Sequence, residues 1–340
     1  MVRKPATLKD VAALAEVSRA TAARALNSYG YVGDETALKV QAAAKKLGYR
    51  GNRLAQALRS GQLPIVGCIV GDIQNPFFAH IAHDVEVLAR ECGYNLVIGS
   101  SEEEAEQEIS LLASLRALSI RGFIVAPTST GDSLHLKSLI AENIPLVMID
   151  RVAEGIRCDS VVVDNEGGAR KAVEYLLAMG HRRIGLLQDD TRIFTSRERM
   201  SGYLKALAGA GIAADERMIS VSHSTVERAV DATIRLFNQK APPTALFTVD
   251  SLMTQGALLA FRSMGLSIPH NVSLIGFDDF DLATFTDPQI TVVSQPVSEI
   301  GRAAAGLLFD RLSNLDGPVR NIRFETKLTL RGSVRALAQR

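Results

Sequence analysis

The chain opens with short amphipathic helical patterns and, after residue 64, changes to brief β-rich apolar runs alternating with longer helical ones. Thr7-Leu8-Lys9-Asp10 fits a capping box, in which a hydroxyl and an acid three residues later satisfy each other's backbone N–H groups. The helix it starts has Val11, Leu14 and Ala15 as its expected apolar face. Ser18 is the expected cap of a second helix over roughly 19–26, with Ala22, Ala25 and Leu26 turned inward. A third runs from about Asp34 to Leu47 and is stopped by Gly48. Residues 52–60 stay helical in pattern with only Leu54, Ala55, Ala57 and Leu58 apolar, too short to hold without a partner. Gly61 and Pro64 mark a linker.

From Ile65 the alternation predicts parallel sheets with crossover helices. Strands are expected near 65–70, 95–98, 122–126, 145–149, 161–163, 183–187, 218–221, 245–249, 272–276, 291–294 and 322–330. Gly93 and Gly180 close two of the helices between them. These are too many strands for one small sheet. A faint repeat sets Ile65–Asp72, Gly122–Ala126 and Pro145–Asp150 against Ile184–Asp190, Ala245–Asp250 and Val272–Asp278. Two doubly wound lobes facing one another across a cleft are the expected core.

Charge changes the reading of the first segment. The net charge of +1 hides an asymmetry: residues 1–60 carry eleven Lys/Arg against four acids, a net +7, which leaves −6 on the remainder. A basic arm on an acidic body is the footprint of nucleic-acid binding. Within it, Leu8–Asn27 has the pattern of a helix-turn-helix with its tight connection at Glu16-Val17-Ser18, and such a unit sends the start of its second helix into the major groove. Arg19, Ala20, Thr21 and Arg24 lie there. An arginine fork can bond guanine O6 and N7 together, and Ala20 can touch a thymine methyl. Thr7, Ser18, Thr21 and Asn27 have the short polar groups expected on phosphates.

The sequences TLKDVAALAEVSRATAARALN and KKLGYRGNRLAQALRSG resemble the lactose/galactose repressor (LacI-type) family. The resemblance continues through NPFF at 75–78, DR at 150–151, MGHRRIGLL at 179–187, GALLAF at 256–261, SLIGFDD at 273–279 and Gln295-Pro296, and so spans nearly the whole chain. It implies a small all-α helix-turn-helix domain (1–51), a hinge helix and linker (52–64), and an α/β periplasmic-binding-protein-like (type I) core over 65–340. The first lobe would hold about 65–162 and 294–323, and the second about 163–293 and 324–340. It further implies that Arg19 and Ala20 set operator specificity, supported by Thr21, Arg24, Asn27 and Tyr31. Asn52, Ala55, Leu58 and Arg59 would line the minor groove, with Leu58 wedged between base steps, which is how minor-groove binders bend DNA. Ala22-Ala23 stands where the family usually has Val-Ser, and Gly51 where it usually has proline.

Ligands of open parallel sheets sit off the carboxyl ends of the strands. The polar residues so placed are Asp72, Asn75, Asp150, Arg151, Asp164, Asp189, Asp190, Asp250, Asp278, Asp279 and Gln295. The resemblance assigns effector binding to an overlapping set: Asn75, Phe77, Phe78, Asp150, Arg151, Arg199, Asp250, Asp278 and Gln295, nearest to ribose-type sugar sensors. A polyol suits this chemistry, since hydroxyls bridge carboxylates and guanidinium groups while C–H faces lie on aromatic rings. Three Asp and two Arg fit a neutral ligand. Ser251 is expected to cap the helix that follows Asp250.

The expected function is a sequence-specific transcription regulator: a repressor released from a pseudo-palindromic operator by a small sugar-like effector, acting as a homodimer, since no heptad tail follows the last strand. The alternatives are a regulator co-repressed by a purine or other metabolite, and a sugar receptor without DNA function. The isolated cysteines Cys68, Cys92 and Cys158 read as buried thiols in a reducing compartment. With no signal-peptide pattern and no apolar run of membrane-spanning length, a cytoplasmic protein without membrane contact is expected. No nucleophile–base pattern, metal-ligand spacing, P-loop or dinucleotide fingerprint is present, so neither an enzyme nor a cofactor is expected. The acidic run Glu102–Glu104 reads as a solvated helix start.

Overall fold

The computed structural model describes residues 6–27, 31–49, 64–131, 133–223 and 225–337. The chain divides into two compact units, Met1–Leu63 and Pro64–Arg340. The expected minor-groove residues Asn52, Ala55, Leu58 and Arg59 lie outside the described residues.

The first unit contains helices α1 (Leu8–Leu14), α2 (Arg19–Asn27) and α3 (Asp34–Leu47). The capping box forms: the Thr7 N–H donates to Asp10 Oδ2 at 2.8 Å, and Thr7 Oγ1 accepts from the Asp10 N–H at 3.4 Å. Glu16 takes φ +52° in the turn, and Ser18 Oγ accepts from the Thr21 N–H at 3.0 Å to start α2. Gly48 stops α3 in the left-handed conformation, where a residue without Cβ avoids steric penalty. Val11, Ala22 and Val40 are fully buried at the junction of the three helices. The expected face of α1 needs one correction: Leu14 is 42% exposed and Ala12 is buried in its place. Small alanines at the crossing let the helices approach closely, and the longer Leu14 is left outside.

The second unit holds two six-stranded sheets. The first is built from β1 (Ile65–Val70), β2 (Asn95–Ser100), β3 (Phe123–Val125), β4 (Leu146–Ile149), β5 (Asp159–Val163) and β11 (Asn321–Phe324), in the order β11-β5-β4-β3-β1-β2. The second contains β6 (Ile184–Gln188), β7 (Ile219–Val221), β8 (Ala245–Thr248), β9 (Ser273–Phe277), β10 (Thr291–Ser294) and β12 (Lys327–Thr329), in the order β12-β10-β9-β8-β6-β7. All pairs are parallel except β10–β12. Central strands such as β4, β8 and β9 are buried at every position, as sheets covered on both faces require.

Helices α4 (Pro76–Glu91), α5 (Ala105–Ala117), α6 (Leu134–Ala141) and α12 (Val297–Ser313) belong with the first sheet. Helices α7 (Asn165–Ala178), α8 (Phe194–Gly209), α9 (Val226–Phe237), α10 (Ser251–Ser263) and the short α11 (Asp281–Phe285) belong with the second. In each sheet the connections leave in opposite directions at one point, between β1 and β3 and between β6 and β8. These are the switch points at which such folds open a crevice.

Two sequence expectations change. The run 322–330 is not one strand: it breaks at Glu325-Thr326, so that β11 extends the first sheet and β12 the second. Cys92 is exposed at the end of α4, whereas Cys68 and Cys158 are buried, and burial pushes both of those thiols up to about 12. Among the described residues, no helix is long and apolar enough to cross a membrane.

Candidate functional site

On the first unit, Arg19, Ala20 and Arg24 are exposed along the first turns of α2, while Ala22, Ala23 and Ala25 face inward. The alternation follows from helical periodicity: the alanines pack, and the long cations project to solvent. Arg24 Nε donates to the Ala20 carbonyl at 3.4 Å, which lays its guanidinium along the helix. Thr21 is half-buried, its hydroxyl 2.8 Å from Ser18 Oγ. The hydroxyls of Thr7 and Ser18 hold helix starts, so any phosphate contact would be additional to that task. Tyr31 is 93% exposed beyond α2, and Asn27 is the last residue of that helix.

In the second unit, all nine expected effector residues line one cavity of about 530 Å³ at the carboxyl ends of the strands. Asn75 caps α4, accepting from the Phe77 N–H at 3.0 Å, which carries Phe77 and Phe78 on the first turn. Asp150 follows β4 and Asp278 follows β9, at corresponding places in the internal repeat, and both take left-handed backbone angles (φ +62° and +75°). Such strain in non-glycine residues gathers at functional sites. Arg199, on α8, lies over the Phe277 ring at 3.7 Å, donates from Nε to Asn165 Oδ1 at 2.8 Å and from Nη1 to the Val249 carbonyl. These three contacts fix its guanidinium in place.

Of the remaining sequence-placed polar residues, Asp72, Asp189 and Asp190 also line the cavity. Asp164 instead caps α7 through the Gly167 N–H, and Asp279 pairs with Arg331. Ser251 is not the helix cap. Asp250 accepts from the Met253 N–H at 2.6 Å and starts α10, and the Ser251 hydroxyl donates to Asn75 Oδ1 at 3.2 Å. That bond joins the first strand–helix connection of one sheet to a helix start of the other.

The acidic run departs most from its sequence reading. Glu104 precedes α5, but the Glu103 side chain is only 21% exposed and takes both Nη groups of Arg151, one of them at 2.7 Å. Burial opposes charge on Arg151, but Glu103 outweighs it and raises the guanidinium pKa. Glu108, one turn along, is also buried, accepting from the Thr128 N–H at 2.7 Å and meeting His135 Nε2 at 2.5 Å. The one-dimensional cue for Glu103 is weak, because Arg151 lies 48 residues away.

The lining as a whole carries nine acidic side chains and four arginines, more acidic than the balance drawn from the sequence. Burial raises the carboxyl pKa of Asp150 against the pull of Arg151 and Arg199. Burial likewise raises that of Asp278 against Arg199 and a hydrogen bond from Gln295. Asp150 Oδ1 and Gln295 Oε1 are buried acceptors with no partner among the described residues. Polar atoms so placed favour a ligand that brings donors.

Residues 7–52 match the bacterial regulatory proteins of the lacI family, and residues 173–334 match a periplasmic binding protein-like domain. The chain is 34% identical to the transcriptional repressor CytR of Escherichia coli K12, over 98% of this chain and 97% of that one. It is 30% identical to the ribose operon repressor of Haemophilus influenzae, over 98% and 99%. Among solved structures, a complex of the transcriptional regulator CelR with cellobiose is similar at 30% identity and a TM-score of 0.73, covering 96% of this chain and 99% of that one. The lac repressor dimer bound to operator and an anti-inducer is similar at 26% identity and a TM-score of 0.84, covering 98% and 100%. A first unit whose helix α2 exposes Arg19 and Arg24, and a two-sheet body around a polar cavity, matched over almost the whole chain by named repressors, make this chain a member of the lactose/galactose repressor (LacI-type) family of DNA-binding transcription regulators.

Proposed function

We propose that the protein is a homodimeric repressor whose α2 helices read a pseudo-palindromic operator and whose cleft binds a neutral, sugar-like effector that releases the DNA. The observation that carries the effector reading is the convergence of Asn75, Phe77, Phe78, Asp150, Arg151, Arg199, Asp250, Asp278 and Gln295, from six separate segments, on one cavity. Two aromatic rings and several carboxylate and amide acceptors match the C–H faces and hydroxyl donors of a polyol. Similar proteins bound to cellobiose, or named for ribose, support the class.

On the DNA side, Arg19, Ala20 and Arg24 would contact base edges. Thr7, Ser18, Thr21, Asn27 and Tyr31 would position the helix on the backbone, and Asn52, Ala55, Leu58 and Arg59 would enter the minor groove from the segment 52–64. The effector moves the equilibrium only through its differential affinity for the two arrangements of the lobes.

A mobility-shift assay on the full chain and on a chain lacking residues 1–60, with a panel of pentoses, hexoses and purine bases, tests the reading. Operator binding should vanish with the deletion, and a sugar should lower the affinity of the full chain. Undiminished binding by the truncated chain, or a response to purines alone, would overturn it.

A further inference from the structure

We infer that Glu103 is a specificity-determining residue of the cleft: by occupying both Nη groups of Arg151 it makes the cavity refuse anionic ligands and select neutral or positively charged ones rich in hydrogen-bond donors. The inference rests on the reading of this cavity as the effector site.

The placement of Glu103 is built rather than incidental. Gly71 stands under the carboxylate, and a Cβ there would lie 2.1 Å from Glu103 Oε1, so any other residue at this position would push the carboxylate from its present place. The preceding Ser101 is fully buried, its hydroxyl and its N–H both donating to the Val70 carbonyl, at 3.1 and 2.9 Å. The Glu103 N–H reaches the Gly71 carbonyl at 3.3 Å. Glu102 and Glu103 both adopt left-handed backbone angles (φ +51° and +62°), unfavourable for consecutive non-glycine residues, and the contact with Arg151 compensates. Arg151 is held from its other sides as well, by Asp150 Oδ2 at 3.2 Å and the Phe78 ring at 5.8 Å.

The cavity's two buried cationic groups are thereby already engaged; of the exposed arginines at its edge, Arg192 pairs with Asp190 and Arg228 stands in solvent. Glu103 and Asp150 take Arg151; Asn165, the Val249 carbonyl and the Phe277 ring take Arg199. The buried side-chain atoms of the cavity left without a partner among the described residues both accept: Asp150 Oδ1 and Gln295 Oε1. A phosphorylated or carboxylated ligand would have to displace Glu103 from a bidentate, largely dry pair and sit among nine acidic side chains. Sugar hydroxyls or an amine meet the acceptors directly.

The test is thermal unfolding of the full chain titrated with inorganic phosphate, against sodium chloride at matched ionic strength. Glu103→Gln keeps the shape of the side chain and removes its charge, so Arg151 is left to bind phosphate. The variant should show saturable, phosphate-specific stabilisation of several degrees, at least tenfold tighter than in wild type and lost in the Glu103→Gln/Arg151→Met double variant. The first unit is common to all three proteins, so its own response to phosphate cancels. Equal responses in wild type and Glu103→Gln would overturn the inference. So would saturable stabilisation of the wild type by phosphate that disappears in Arg151→Met. The experiment uses neither operator nor effector, so its failure is distinct from failure of the repressor reading.

Discussion

The hydroxyl of Ser251 donates to Asn75 Oδ1 at 3.2 Å, and each of these residues stands at the start of a helix, one beside each sheet. Asn75 already caps α4, so the bond from Ser251 is a second one on the same oxygen. Its net contribution is that of an ordinary buried hydrogen bond, about 0.5–1.5 kcal/mol. Ser251→Ala removes it without stranding Asn75. Effector affinity should fall a few-fold, as titration calorimetry would record, and the effector-free body should spread slightly in small-angle scattering. An affinity unchanged within error would show that the bond does not favour the closed arrangement.

Asp150 and Asp278 predict an inverse trade between binding and stability. Burial raises both pKa values, so between the ordinary aspartate value near ~3.9 and the raised native value the folded chain binds more protons than the unfolded one. Stability therefore falls as pH rises through that window, and the penalty persists at neutral pH. Asp278→Asn should raise the melting temperature at pH 7 and flatten its dependence on pH, while weakening effector binding. A melting temperature that drops at every pH would count against this account.

Asp159 behaves in the opposite sense. Burial works against its charge, but hydrogen bonds from Arg311 Nη2 at 2.7 Å and Nε at 2.9 Å, and from the Arg320 N–H at 2.8 Å, outweigh it and hold the pKa down. The group stabilises the fold fully above the ordinary aspartate range, and that stabilisation is lost as pH falls through the depressed native value. Asp159→Asn should destabilise the chain by about 3 kcal/mol, at the low end for breaking a buried pair because Arg320 is partly solvated. Urea denaturation at pH 7 measures it, and a loss under 1 kcal/mol would contradict the role.

For DNA binding, Arg19→Ala should weaken operator affinity by ~1–3 kcal/mol, roughly five- to 150-fold, and relax the preference at one base pair. Because Arg19 is exposed, the melting temperature should hardly change. A uniform loss across operator variants would reassign Arg19 from base reading to a phosphate contact.

Local signals carried much of this into the sequence. The capping box at Thr7 and Asp10, the glycine stop at Gly48 and the β-rich run at Ile65–Val70 each depend on neighbours within a few positions, and each appears where the pattern puts it. Six of the nine cleft residues were legible because strand ends and a family resemblance pointed to the same places, while Phe77, Phe78 and Arg199 came from the resemblance alone. What stayed hidden depends on distant partners. Glu103 looks like one more surface acid until β4 brings Arg151 beside it, and Glu108 until Thr128 and His135 close over it. Leu14 fits an inward stripe by spacing, but the alanine-lined crossing leaves no room for it. The break at Glu325-Thr326 has no glycine or proline to announce it, since the chain changes sheets there rather than turning back.

That change of sheet orders events during synthesis. The first sheet takes its edge strand from Asn321–Phe324, and its apolar layer includes Ile300, Ala304 and Leu308 of α12, all made after the strands β6 to β10 of the second sheet. When Ser294 has been added, the second lobe lacks only its edge strand β12 and the segment after it, while the first still lacks both α12 and β11. The lobe that begins first must finish late, with the apolar side of Ile81 and Val85 uncovered in the interval.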